Sequence, residues 1–383
     1  MEDVVIIGAG LAGITCGRYL QEQGRRVVLL EKSRGVGGRL ATRRLSGTIA
    51  DHGAKYLENQ GSYTKDLIEF LQQQGLIISW ANTNYEFRDT EIDSTTGRDQ
   101  TKLWKSQIGT DRYVAPLGMS SIAKTLAQGL DIRLSHRVDR VQATDQGWQL
   151  GLDLPADSPT IQAKALVIAI PAPQALAILS PKSLDRDQGL AQDTNRELKS
   201  GLNPDFLPNY FQTYLTQLAA VTYDGCIAVM AGYAPELQAT FAARIPPWQA
   251  VNFPEDPDLA WLGLDSSKRL PLVQSLGQFL EESLDQQTSQ LTNPQADQQT
   301  NQLISQPVIV CHSTPAFAAQ YLDHPDPNLD LNAVGQQLLD RASSYLLPEL
   351  KIPNGPSPTL AAMPSRTPAC KAIVCPLRLP PLC

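Results

Sequence analysis

Val4-Val5-Ile6-Ile7-Gly8-Ala9-Gly10-Leu11-Ala12-Gly13, followed by Arg26-Val27-Val28-Leu29-Leu30-Glu31, is the stretch that decides the fold of this 383-residue chain. Val4 to Ile7 is a continuous apolar, β-branched run, as expected of a parallel strand buried on both faces. Leu11, Ile14 and Leu20 then recur at helical spacing, Gly24 closes the helix, and Val27 to Leu30 predicts a second buried strand. Gly8 suits the tight turn, Gly10 the close approach of a pyrophosphate, and Gly13 the packing of helix on strand. Phosphates would rest on the free N–H groups where the helix starts, at Leu11, Ala12 and Gly13. Glu31, next to Lys32, ends the second strand, where a carboxylate accepts hydrogen bonds from ribose hydroxyls. A glycine turn alone says little; strand, turn, helix, strand and acid in register predict a dinucleotide-binding unit, against the alternative of a glycine turn without a ligand.

Directly downstream, Arg34-Gly35-Val36-Gly37-Gly38-Arg39 is a second glycine turn flanked by two guanidinium groups that can reach the same pyrophosphate from its other side. A domain binding only NAD has no need of it; the alternative is a solvated basic loop. With GxGxxG, Glu31 and this GGR turn, the sequence resembles the amine-oxidase superfamily of flavoproteins, and the resemblance implies FAD, with Gly38 and Arg39 among the residues that hold it. Asp51-His52-Gly53-Ala54-Lys55-Tyr56 resembles the segment these proteins run beneath the isoalloxazine ring, which implies that Gly53 and Ala54 lie against the flavin. The segment also resembles that of renalase and the renalase-like bacterial oxidoreductases, except that Lys55 stands where they usually carry Gln. Gly118-Met119-Ser120 resembles the group's turn into a helix. Ile132 to Leu134 with His136 to Val141 resembles a hairpin whose Val138 backbone contacts the adenine.

The expected fold class is α/β: an FAD-binding Rossmann-type, glutathione-reductase-like domain, a second mixed-sheet substrate domain, and an irregular C-terminal tail. The expected boundaries are 1–80 and 109–174 for the FAD-binding domain, with an incomplete final segment at 330–352. Residues 81–108 and 175–329 are assigned to the substrate domain, and 353–383 to the tail. With 32 basic and 39 acidic residues the net charge is -7, so no global positive field collects nucleic acid or anionic lipid. The apolar runs are too short for a membrane span and the N-terminus carries Glu2 and Asp3, so a cytoplasmic protein is expected.

A flavin performs the difficult chemistry of hydride removal while the protein positions it. The sequence holds no HExxH, no paired CxxC and no GxSxG, and its four histidines have no ligand spacing, so no metal is expected. Lys55, beside the expected flavin, and His312, after the apolar strand Pro307 to Cys311, are the candidate catalytic residues; a histidine there is otherwise a plain strand residue. Trp261 and Tyr210 are candidates for an aromatic pocket wall, or plain core. The renalase resemblance implies a small-molecule substrate, dihydro isomers of NAD(P)H, with oxygen as the electron acceptor and hydrogen peroxide as product. The alternatives are a flavin amine oxidase or desaturase, and a degenerate, catalytically silent flavoprotein.

The last alternative comes from the tail. Residues 353–383 contain eight of the 28 prolines and three of the six cysteines, no Asp or Glu, and no Gly-Asp pair of the kind that closes the cofactor site in the resembling family. Eight prolines forbid a continuous helix and disfavour a central strand, so the tail is expected to be irregular. A shifted reading frame near Pro353 and a Pro-rich extension are the two explanations.

Overall fold

The apolar run at the N-terminus becomes a strand because both of its faces find cover. In the computed structural model, which describes residues 1–45, 48–88, 103–153, 160–179, 210–243, 247–269, 306–322, 330–346 and 373–379, the first elements are β1 (Glu2–Ile7), α1 (Leu11–Glu22), β2 (Val27–Glu31), β3 (Thr42–Leu45), β4 (Thr48–Asp51), β5 (Leu57–Glu58), α2 (Ser62–Gln73), β6 (Ile78–Arg88), β7 (Leu103–Val114) and α3 (Ser120–Leu126). Next come β8 (Asp131–Leu134), β9 (Val138–Thr144), β10 (Gly147–Leu152), β11 (Ile161–Ile168), α4 (Ala172–Leu179), α5 (Tyr210–Ala220) and β12 (Asp224–Gly232). The remainder are α6 (Gln238–Ala242), β13 (Ala250–Asn252), β14 (Leu259–Leu264), β15 (Val308–Ser313), α7 (Pro315–Leu322), α8 (Leu331–Tyr345) and β16 (Ile373–Leu379). None of the described helices is long and apolar enough to cross a membrane.

One compact unit comprises Met1–Leu40 and Ser120–Tyr223. Its six-stranded sheet has the order β8-β2-β1-β11-β10-β9, parallel from β8 through β11 and antiparallel thereafter. Val5, Ile7, Val28 and Leu30 bury one face with Val138, Leu150 and Ile178, while Ile6 and Leu29 lie against Gly17 of α1 on the other. Each such side chain contributes about 1.5–3 kcal/mol on full burial. The expected hairpin of Ile132–Leu134 with His136–Val141 does not form. β8 pairs with β2 and β9 with β10, at opposite edges of the sheet, because Ser135 N donates to Ser33 O and His136 N to Glu31 O and turn the chain away.

The second unit comprises Ala41–Met119 and Asp224–Leu379. Its eight-stranded sheet has the order β16-β12-β15-β14-β13-β6-β7-β5, and β3 pairs with β4 as a separate ribbon. One face carries Ile227, Val229, Leu262, Ile309 and Cys311 against Phe317 of α7 and Leu338 and Leu339 of α8. The opposite face carries Met230, Trp261, Val308 and Val310 against Ala50 of β4.

These units move the boundaries expected from sequence. Residues 41–80 and 109–119 join the second unit, where β5 pairs with β7 and β7 with β6, and α8 packs on the larger sheet's apolar face. Helix α5 and the part of α4 beyond residue 174, expected in the second domain, pack in the first unit. The tail is also corrected in part: Ile373–Leu379 is not irregular but a strand, antiparallel to β12, with Pro376 opposite Ile227. Proline is tolerated there because β16 is an edge strand, so Pro376 breaks no central ladder. The rest of 353–383 lies outside the described residues, as does His324.

Gly8 sits at φ +101, and a Cβ there would come within 2.7 Å of Ala169 O. Gly8→Ala is therefore expected to destabilise the protein by about 1–3 kcal/mol, read as a lower urea midpoint; an unchanged midpoint would show that the turn relaxes freely.

Candidate functional site

Two groups of residues carry the chemistry, one in each unit. In the first unit, α1 begins at Gly10 with no side-chain cap, which leaves its first N–H groups without a side-chain acceptor. A Cβ added at Gly10 would meet nothing within 4 Å, so the backbone is open to approach, whereas one at Gly13 would meet Gly8 O at 2.0 Å. The second glycine turn lies against the first: Gly37 N donates to Ala9 O at 2.9 Å, and a Cβ at Gly38 would be 3.3 Å from Gly10 Cα. Glu31, 8% exposed, ties both turns to the end of β2. Its Oε2 accepts from Ala9 N at 2.8 Å and its Oε1 from Ser33 N at 2.8 Å.

This is a cradle suited to a dinucleotide. An uncapped helix start, glycine backbone in place of side chains and the exposed Arg34 and Arg39 fit a pyrophosphate, and each Glu31 oxygen keeps a lone pair for a ribose hydroxyl. Leu11 and Ala12 form the first turn of α1. Lys32 is exposed, with Nζ 3.2 Å from Gln174 Oε1, and Val138 is buried at the start of β9 with Ile7 and Leu30.

In the second unit, a buried set of four charges anchors β4. Lys268 Nζ lies 3.1 Å from Asp51 Oδ2 and 2.7 Å from Asp265 Oδ1, and Arg269 Nη2 lies 2.9 Å from Asp265 Oδ2. Asp51 N donates to Asp265 Oδ2, while Asp51 Oδ1 accepts from Thr42 Oγ1 at 2.6 Å and Met119 N at 2.9 Å. Burial alone would raise the Asp265 carboxyl, but the Lys268 and Arg269 charges outweigh it and hold it below its ordinary value. Burial likewise opposes the Lys268 charge, and Asp265 with Asp51 overcomes it, so the ammonium is held above its ordinary value.

Beyond this anchor the chain runs through Gly53 and Ala54 to Lys55, whose Nζ stands 4.6 Å from the centroid of the Trp261 ring. Burial pulls the Lys55 amine down to about 8; Cys226 and Glu58 oppose this and Arg112 adds to it. Trp261 pairs across strands with His312, their rings 5.2 Å apart, and both are 2% exposed. His312 is held neutral, its value far below the ordinary one through burial and then the Lys55 and Lys268 charges. Among the described residues its Nε2, Trp261 Nε1 and His52 Nδ1 are buried without a hydrogen-bond partner. Tyr56 and Trp80, 6.2 Å apart, pack on the same apolar cluster, and Trp80 Nε1 donates to Ser267 Oγ at 2.9 Å.

The structure thus gathers Gly8, Gly10, Leu11, Ala12, Gly13, Glu31 and Gly38 in the first unit, and Gly53, Ala54, Lys55, His312 and Trp261 in the second. Sequence reasoning missed Tyr56, Trp80, Arg112 and the Asp265–Lys268–Arg269 group. The Tyr210 side chain lies outside the described residues. No described cluster of His, Cys, Asp and Glu is suited to a metal.

Residues 6–73 match the family model of the NAD(P)-binding Rossmann-like domain, and residues 92–201 that of the flavin containing amine oxidoreductase. Over residues 92–201 the chain is thus similar to the flavin containing amine oxidoreductases, and over residues 6–73 to NAD(P)-binding Rossmann-like domains. Protein anon-37Cs of Drosophila melanogaster is 42% identical over 60 residues, 15% of this chain and 12% of that protein. The L-amino-acid oxidase of Siganus canaliculatus is 43% identical over 61 residues, again 15% and 12%. The chain therefore spans about an eighth of the length of these curated relatives. Cyclohexylamine oxidase from Brevibacterium oxydans, a solved structure, has a similar fold, at a TM-score of 0.56 and 13% identity over 91% of this chain and 82% of that one.

Lys268→Met leaves Asp51 and Asp265 facing Arg269 alone and is expected to cost about 3–5 kcal/mol of stability. The wild-type contribution of Asp265 is present above the ordinary carboxylate value of about 3.9 and is lost as pH falls through its lower folded value; that of Lys268 is present below about 10.4 and is lost as pH rises through its higher folded value. Urea midpoints across this range should show the variant losing stability at a higher acid pH than wild type. Parallel curves would contradict the assignment.

Proposed function

We propose that the chain is an FAD-dependent oxidoreductase that oxidises a small molecule by hydride transfer, with oxygen accepting the electrons to give hydrogen peroxide. The pair of glycine turns tied by Glu31 carries this reading. Bound FAD supplies the hydride acceptor. In the first unit the N–H groups of Leu11, Ala12 and Gly13 hold the pyrophosphate, Arg39 neutralises it, and the Glu31 carboxylate accepts from the ribose. In the second unit the half-buried Tyr56 and Trp80 give a planar substrate an aromatic surface, and Lys55 holds or releases a proton at Nζ.

For the substrate, the renalase-like reading is a dihydro isomer of NAD(P)H. The cations Lys55 and Arg112 favour it, because they disfavour a substrate that arrives as an ammonium ion. A second reading, an amine as substrate, is favoured by the amine oxidoreductase match over residues 92–201.

Purified protein is expected to show a flavin absorbance spectrum and to release peroxide with dihydronicotinamide isomers faster than with alkylamines. Peroxide from amines alone would move the assignment to the second reading, and a colourless protein that takes up no FAD would contradict both. In the active enzyme, the rate should change through about pH 8 as Lys55 titrates, and Lys55→Met should remove that limb of the profile; an unchanged profile would take Lys55 out of the reaction.

A further inference from the structure

The outer edge of β12 is closed by a strand from the far end of the chain. On its inner side β12 pairs with β15, with Ala228 opposite His312 and Gly232 opposite Val308. Phe317, Leu338 and Leu339 cover one of its faces, Ala50 of β4 lies on the other, and Ile227 through Ala231 are each 0% exposed. A strand fixed on three sides is a rigid template for an extended partner on the fourth.

The phase of that outer ladder follows from Ile227. Its N–H donates to Ser313 Oγ at 2.9 Å, toward β15, so the backbone groups of Ile227, Val229 and Ala231 serve β15 while those of Cys226, Ala228 and Met230 face outward. Opposite these three stand Leu377, Cys375 and Ile373 of β16. Pro376 falls opposite Ile227, where no ladder bond is made and a missing N–H costs nothing. From Gly225 to Gly232 β12 carries no charged residue and no proline, the devices that keep a bare edge from pairing with other chains. Residues 373–379 carry both, in Arg378 and Pro376. Residues 346–372 separate α8 from β16, enough chain to reach roughly 90 Å when extended, to another molecule as well as to its own sheet.

We propose that the outer edge of β12 is a strand-acceptor site whose ligand in trans is residues 373–379 of a second copy of this chain, giving a dimer by strand exchange. The exchanged strand makes the same ladder bonds as the tethered one. Protein concentration then competes with the effective concentration of the tethered strand, on the order of millimolar. Recognition lies in the backbone: N–H groups are required at positions 373, 375 and 377 and dispensable at 374, 376 and 378. The inference needs neither FAD nor turnover and is independent of the oxidase reading.

The test uses the full chain under reducing conditions and a synthetic peptide of residues 372–379. Sedimentation velocity should show a dimer that grows as concentration approaches the millimolar range and disappears with excess peptide. Deuterium uptake of residues 373–379 in the full chain should rise with the peptide, because it displaces the tethered strand. Peptide N-methylated at Cys375 and Leu377 should act on the order of tenfold more weakly, whereas N-methylation at Val374 and Arg378 should leave it as effective as the native peptide. A chain ending at Ala372 should bind fluorescent native peptide saturably, and the full chain should displace it. A full chain that stays monomeric at every concentration, or a dimer that the peptide leaves intact, would overturn strand exchange. Equal potency of the two N-methylated peptides, or uptake at 373–379 that no peptide changes, would overturn the acceptor site. The full-chain measurements decide the matter even if the shortened chain fails to fold.

Discussion

Both glycine turns of the first unit depend on one carboxylate. Glu31 ends β2 with its two oxygens accepting from Ala9 N and Ser33 N, and its own carbonyl accepts from His136 N. That single residue fixes the first turn, the second turn and the departure of the chain toward β9. So nearly buried a side chain is accommodated because each oxygen accepts a hydrogen bond. The sequence expectation gave Glu31 a role in binding ribose. Its structural role comes first, and leaves lone pairs over for that one.

The second unit answers a different constraint. Its sheet is apolar on both faces, and the face bearing Trp261 and His312 is covered by β4 and the segment that follows. β4 is held by Asp51, whose partners Asp265 and Lys268 stand 214 and 217 residues away. A buried charge set does not by itself stabilise a fold relative to apolar packing, but it fixes position, because any shift leaves an unpaired charge. The turn from Asp51 to Lys55 is positioned in this way.

Local chemistry was legible in the sequence where one short segment carries all of it. The glycine turns, Glu31 and α1 follow from spacing within a few dozen residues. Asp265, Lys268 and Arg269 were not legible, since three charged residues after Leu264 look like a solvated turn until Asp51 arrives from a distant strand. Arg112 and Cys226 escaped for the same reason: only long-range strand pairing brings them near Lys55. The split of β8 from β9 was hidden because their sequence is compatible with a hairpin, and the choice is made by hydrogen bonds to Glu31 and Ser33. In the tail, proline counted against a central strand, which left an edge strand such as β16 unconsidered.

The central claim is that the two glycine turns tied by Glu31 are the seat of a flavin dinucleotide. Amide hydrogen exchange of the protein with and without added FAD tests it most directly, because it reads the N–H groups that would bind the pyrophosphate. Slowed exchange in the peptides spanning Ala9 to Gly13 and Gly37 to Arg39 is the predicted result. Unchanged exchange in both turns, with protection elsewhere or nowhere, would contradict it.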